Sequence, residues 1–154
     1  MTSIGVGGAD VGSSIALKYA AVHSQIPMLF MMSPGMSYRE ILTVNAVRAY
    51  TKRPILLIVG ADDNRSTRET AILYEFAKRS AGPENTQLLT AEREHGTRIL
   101  VVNKGIPGKI LEWIENPLQP LEVSTTTAAT PVVPGGPEPL PSDDQLQTPP
   151  GANE

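Results

Sequence analysis

The sequence predicts an α/β fold: a three-layer parallel sheet of about four strands with flanking helices, followed by an unstructured tail. Three observations predict it. Short β-favouring segments alternate with helical ones from almost the first residue. The clearest strand, RPILLIVG, is an unbroken run of branched apolar residues, as expected of a strand buried on both faces. Polar residues then fall just after strand ends, where open parallel sheets place their ligands.

Ser3 to Val6 reads as a first short strand, followed by a glycine-rich turn and the helix SSIALKYAAVH. Ile15, Leu17, Tyr19 and Val22, spaced among alanines, suit a buried helix starting near Ser13 or Ser14. IPMLFMM has strand length and stops at Ser33-Pro34-Gly35; TVNAVRAY reads as a short helix. Pro54 opens the third strand and Gly60 closes it. STRETAILYEFAKRS is a helix capped by Ser66 or Thr67, with Ala71, Leu73, Tyr74 and Ala77 toward the sheet and Gly82-Pro83 at its end. TQLLT is a fourth strand, EREHGT a loop, and GIPGKILEWIEN a last amphipathic helix with Pro107 in its first turn. The order β-α-β-α-β-α-β-α calls for a parallel sheet covered on both faces.

Composition divides the chain at about residue 116. Nine of the 14 prolines lie in the last 38 residues, which hold no Lys, Arg or aromatic side chain. Such a stretch cannot bury enough apolar surface to offset its ordering entropy, so residues 117–154 are expected to be a disordered tail behind a domain at 1–116. Five of the 16 acidic residues fall in the tail, leaving 11 against 13 basic ones in the body. A nearly neutral body argues against a nucleic-acid partner. No apolar run is long enough to span a membrane. The lack of cysteine excludes disulfides, thiolate metal sites and a thiol nucleophile; no cofactor or metal is expected. The opening residues do not resemble a signal peptide; with Met1 as the true start the compartment would be cytoplasmic, and otherwise it stays open.

The chemistry concentrates in GGADVG. Gly8 and Gly12 stand two residues either side of Asp10, in a sharp strand-to-helix turn that lifts the central side chain above the sheet. This is the spacing of the nucleophile elbow, usually written with serine at the centre. IGVGGADVGSSIALKYAAVH, LFMMSPGMSYR, PILLIVGADDNRS and EHGT resemble successive stations of small bacterial α/β-hydrolases related to dienelactone hydrolases, in order, over most of residues 3–115. The resemblance implies a hydrolase acting on a small ester or related molecule. Asp10 takes the nucleophile position, Asp63 the acid position three residues after Gly60, and His95 the base position ahead of Gly96. It also implies an oxyanion site, for which the backbone amide of Val11 is the donor this chain can supply. The likeness covers only the C-terminal half of that fold, and Asp10 replaces the usual serine.

Three readings of Asp10 stay open. It is a carboxylate nucleophile of the haloalkane-dehalogenase and epoxide-hydrolase kind, which forms an alkyl ester that a histidine-activated water hydrolyses. Or the chain is a catalytically inactive relative kept for binding or assembly. Or Asp10 simply caps the following helix. His95 competes with an ordinary loop histidine, and Asp63 with a helix cap; Asp62 is the fallback acid. Ser13 and Ser14 should point along the helix, while Ser33, after a strand end, would line the pocket. Tyr38, Arg39 and Arg48 are candidates for an acidic ligand or for a solvated face. His23 ends a helix and carries no expected function. A dinucleotide motif from Gly5 fails because Asp10 stands where its third glycine belongs. Finally, the Ser3–Val6 strand would lie at a sheet edge with no lysine or proline to guard it, so self-association through that edge, or pairing with a partner's strands, is expected.

Overall fold

The computed structural model describes residues 4–38 and 41–121. In chain order the elements are β1 (Val6–Ala9), α1 (Val11–Val22), β2 (Leu29–Met32), β3 (Ser37–Tyr38), β4 (Ile41–Leu42), α2 (Thr43–Ala49), β5 (Ile55–Gly60), α3 (Asn64–Ser80), β6 (Thr86–Ala91), α4 (Arg98–Val102) and α5 (Gly105–Glu115). The main sheet is fully parallel, in the order β1-β2-β5-β6. Val6, Leu29, Ile55 and Thr86 lie in one row across it, so the strands start level. β3 and β4 form a separate antiparallel pair that the sequence pattern does not announce.

Strand residues alternate between two cores because successive side chains point to opposite faces. Leu29, Met31, Ile55 and Leu57 meet Leu17 and Ala20 of α1, Val47 of α2, and Leu73 and Ala77 of α3. Met32, Leu56 and Ile58 face the other way, against Ile99 of α4 and Ile106, Ile110 and Trp113 of α5. All six residues of β5 are buried, as its unbroken apolar run requires. At the strands' starting end, Arg53 donates to the carbonyls of Ala20, His23 and Ile26 at 2.9, 3.1 and 2.8 Å. It thereby gathers the end of α1 and the approach to β2, and its guanidinium lies 4.1 Å from the Tyr50 ring centre. Burial pushes the Tyr50 hydroxyl up to about 12 despite that charge, and the hydroxyl donates to the Pro54 carbonyl at 2.8 Å.

Several expectations are corrected. The first strand is not Ser3–Val6 but runs from Val6 through Gly7 and Gly8 to Ala9, and Ser3 lies outside the described residues. Glycine has little strand preference of its own; here tertiary packing decides, because the Phe30 ring occupies the space where a side chain on Gly7 would go. α1 begins at Val11, two residues before Ser13, and its inner face is Ser13, Ser14, Leu17 and Ala20. Ile15, Tyr19 and Val22 point outward instead, with 54%, 47% and 74% of their surface exposed. The cap of α3 is Asp63, whose carboxylate accepts from the Ser66 amide at 3.0 Å, rather than Ser66 or Thr67. Ala71 is exposed, turned away from the sheet by the same helical phase that buries Leu73. α4 fills part of the stretch between EREHGT and the last helix. Of the expected tail, Pro117–Leu121 is described: the Gln87 side chain donates to the carbonyls of Pro117 and Gln119 and accepts from the Leu121 amide. The rest of it, 122–154, lies outside the described residues.

Candidate active site

Level strands bring their following residues to one end of the sheet. Asp10 follows β1 and Ser33 follows β2, while β5 and β6 run on to Gly60 and Ala91 before the Asp62-Asp63 pair and His95. The turn at Asp10 is sharp. Its amide donates to the Met32 carbonyl at 3.0 Å, and its φ of 51° and ψ of −124° are values a non-glycine residue seldom adopts. A side chain on Gly8 would strike the Gly12 carbonyl at 2.2 Å, so the approach of helix to strand needs glycine there. Gly12 has open space around its Cβ direction, so of the two expected glycines only Gly8 is required sterically. Ser13 Oγ bonds the Asp10 carbonyl oxygen at 2.5 Å, and Ser14 Oγ pairs with Thr43 Oγ1 at 2.9 Å. Both serines are buried in this way and neither is poised as a nucleophile.

The three expected residues meet at His95. Its Nε2 contacts Asp10 Oδ1 and its Nδ1 contacts Asp63 Oδ2, so a carboxylate holds each ring nitrogen. Asp63 meets His95 through one oxygen and caps α3 through the other. Ser66 Oγ lies 3.3 Å from His95 Nδ1 as well. Desolvation alone would raise Asp63, but the Ser66 hydroxyl and amide and the His95 ring outweigh it and hold the carboxyl below its ordinary range. For His95, partial burial opposes the charged ring; the bond to Asp63 and the charges of Asp10 and Asp63 prevail and raise the imidazole above 6.5.

The loop carrying His95 is tied down on both sides of the ring. The Glu94 amide donates to Asp62 Oδ1 at 2.8 Å, which gives the fallback acid a backbone partner rather than the imidazole. The Gly96 amide donates to Ser33 Oγ at 2.9 Å. Asn103 brackets Arg93, donating to its carbonyl at 2.8 Å and accepting from its amide at 3.3 Å. Gly96 has a φ of 56°, and a Cβ there would sit 2.3 Å from Asp10 Oδ2, so any side chain would displace the Asp10 carboxylate. Sequence reasoning named Ser33 only as pocket lining and gave Ser66 and Asn103 no part in the site. Their bonds span 10 to 63 residues and leave no local pattern.

Asp10, Val11, Ser33, Tyr38, Arg65 and His95 are among the residues that line a cavity of about 610 Å³. Val11 is the first residue of α1, so its amide has no acceptor within the helix. At the rim, Glu69 accepts from the Met36 amide at 2.7 Å and pairs with Arg65 at 3.0 Å; the Met36 bond first and Arg65 second hold its carboxyl low. Arg48 is not at the cavity, since it stacks 4.9 Å from the Phe76 ring, and Arg39 lies outside the described residues. Among the described residues, no cluster of His, Asp and Glu could hold a metal ion, and no helix is long and apolar enough to cross a membrane.

No family model and no curated protein matches the chain. Solved structures do. The chain is similar to the Pyrococcus furiosus esterase Pf2001 in two space groups, at 19% and 18% identity with TM-scores of 0.64 and 0.65. Each match covers 76% of this chain and 54% of that one. It is also similar to the esterase domain of a Rhodothermus marinus protein, at 14% identity and a TM-score of 0.58, over 73% of this chain and 60% of that one. The chain therefore spans a little over half the length of these esterases, and what it shares with them is an α/β-hydrolase-like fold.

Proposed function

We propose that the chain is a hydrolase of the dienelactone-hydrolase-related kind with aspartate in place of the nucleophile serine, and that Asp10, His95 and Asp63 act on a small ester or related electrophile. The carrying observation is the double embrace of His95 by the elbow carboxylate and by Asp63. A carboxylate attacking an acyl carbon would give an unstable anhydride, so the reaction suited to Asp10 is displacement at an alkyl carbon. The Asp10 oxygen forms a bond to that carbon as the leaving group departs with its electron pair, giving an alkyl ester on Asp10. Water then adds to the ester carbonyl carbon while His95 takes its proton, and collapse releases the alcohol and restores the carboxylate.

Charge makes the histidine competent at the right moment. In the resting site two carboxylates favour the imidazolium. Once Asp10 is esterified one of those charges is gone, and the ring loses its proton more readily. Asp63 keeps Nδ1 protonated and Nε2 turned to the reacting carbon, and the Val11 amide is available to the oxyanion.

The second reading is a non-catalytic binding or assembly module. It is favoured by the outward stripe of Ile15, Tyr19 and Val22 on α1, apolar surface that soluble domains seldom leave open. One experiment separates the two. Excess protein is mixed with a benzylic halide, or in parallel with an aryl ester, in heavy-oxygen water, and the Asp10 peptide is examined by mass spectrometry. Uptake of one heavy oxygen into Asp10, abolished in Asp10→Asn, is the expected result. Release of product with no label in Asp10 would refute the carboxylate nucleophile, and no product from either substrate would leave the binding module.

A further inference from the structure

Ser33 is built into this site more deeply than a lining residue needs to be. Only 3% of its surface is exposed, yet it borders the cavity together with Asp10 and His95. Its amide donates to the Ile58 carbonyl at 2.8 Å, carrying the β2–β5 pairing one residue past the end of β2. Its φ of 47° is a left-handed value that serine tolerates poorly. A glycine would hold that turn without cost, so the turn alone does not account for the side chain.

Among the described residues the hydroxyl has one partner, the Gly96 amide, from which it accepts at 2.9 Å. A hydroxyl that accepts a bond still has its own proton to donate. Among the described residues no bond donated by this hydroxyl is formed, and Ser33 borders the cavity. The two oxygens of Asp10 differ in their surroundings. Oδ1 meets His95 Nε2, whereas Oδ2 lies beside Gly96, the residue whose amide Ser33 holds.

We infer that Ser33 is a hydrogen-bond donor of the catalytic site, its hydroxyl proton serving the Asp10 oxygen that His95 does not hold. The inference rests on the reading of Asp10 as nucleophile. With the alkyl group on Oδ1, water adds to the ester carbonyl carbon, and the carbonyl electron pair moves onto Oδ2. Ser33 O–H donates to that developing oxyanion beside the Val11 amide, and keeps its proton throughout. Collapse returns the electron pair, breaks the bond from carbon to the alkoxide oxygen, and lets His95 protonate the departing alkoxide. The donor therefore acts in the second half of the reaction and not in the first.

That timing gives the test. Ser33→Gly suits the left-handed backbone and removes the hydroxyl; Ser33→Ala is its companion. Each is mixed with a benzylic halide and quenched at intervals, and intact-protein mass spectrometry follows the Asp10 ester. The expected result is ester formation within about twofold of the unsubstituted protein and ester hydrolysis slowed roughly a hundredfold, the size of a lost oxyanion donor. The pH at which hydrolysis falls off should stay where it was. Equal slowing of both steps, or a displaced pH limb, would mean that Ser33 only holds the His95 loop, and the donor role would be overturned. Hydrolysis at the original rate would overturn it too. If the unsubstituted protein forms no ester, the Asp10 reading fails first and the donor role falls with it.

Discussion

The two sides of the sheet are finished to different degrees. On the β5–β6 side every strand residue of β5 is buried, helices cover both faces, and the outer strand β6 is clasped through Gln87 by Pro117–Leu121. On the β1 side, the even-numbered residues bond β2, through contacts such as Val6 amide to Met28 carbonyl. The backbone groups of Gly5, Gly7 and Ala9 therefore face an open edge. Met28 and Phe30 lean over the glycines and are themselves only partly buried, and Ile4 is 73% exposed. The candidate site straddles this divide. Asp63 and His95 come from the closed side and Asp10 from the open one, so the first two are held by a complete core while Asp10 depends on a strand that, among the described residues, is paired on one side only.

The largest expected effect tests the closed side. Trp113 is fully buried between α5 and the sheet. Trp113→Ala should cost about 3–5 kcal/mol, measured by urea unfolding, and Phe30→Ala less than half as much. Equal losses would erase the difference between the two sides. At the open edge the stakes are smaller. We expect light scattering to show association that grows with concentration through pairing of β1 with β1 of a second copy, and Ile4→Lys to suppress it by placing a charge beside the edge. A monomer at every concentration that binds no hydrophobic dye would show the edge to be covered.

The smallest effect is electrostatic. His95 is raised in the folded state, so its contribution to stability is complete below about pH 6.5 and is lost as pH rises through the folded value. Asp63 behaves oppositely, contributing above its ordinary 3.8 and failing as pH falls through its lowered value. The melting temperature should therefore slip as pH rises above about 6.5 and through the raised folded value, and His95→Gln should flatten that slope. Both partners are partly solvated, so the slope is shallow. A slope unchanged in His95→Gln would mean the ring gains no proton affinity on folding.

Much of this was legible in the sequence because strand interiors announce themselves. PILLIVG located β5 and the Asp62-Asp63 pair after it, and the resemblance to dienelactone-hydrolase relatives singled out Asp63. The closed side was read well for that reason. The open side was read poorly, since Gly7 and Gly8 carry no strand signal and Ile15, Tyr19 and Val22 look like core residues until the phase of α1 is set by Ser13, Ser14 and Leu17. At the site, Asp10, Asp63 and His95 were found by their places after strands. The supports from Asp62, Ser33 and Asn103 were not, because a side chain that bonds a distant backbone amide repeats nothing in its own neighbourhood.

Among the described residues, four that are not glycine hold a positive φ, and three of them, Asp10, Ser33 and Glu94, surround the site. Each such residue is disfavoured by roughly 1–2 kcal/mol, and glycine would relieve the strain at once. Selection for robustness alone would therefore favour glycine at positions 33 and 94, the very changes that would remove a hydroxyl or loosen the residue ahead of the imidazole. A lineage that no longer needed the site would be free to drift toward greater stability there, so whether relatives of this chain keep side chains at these positions would tell use from disuse.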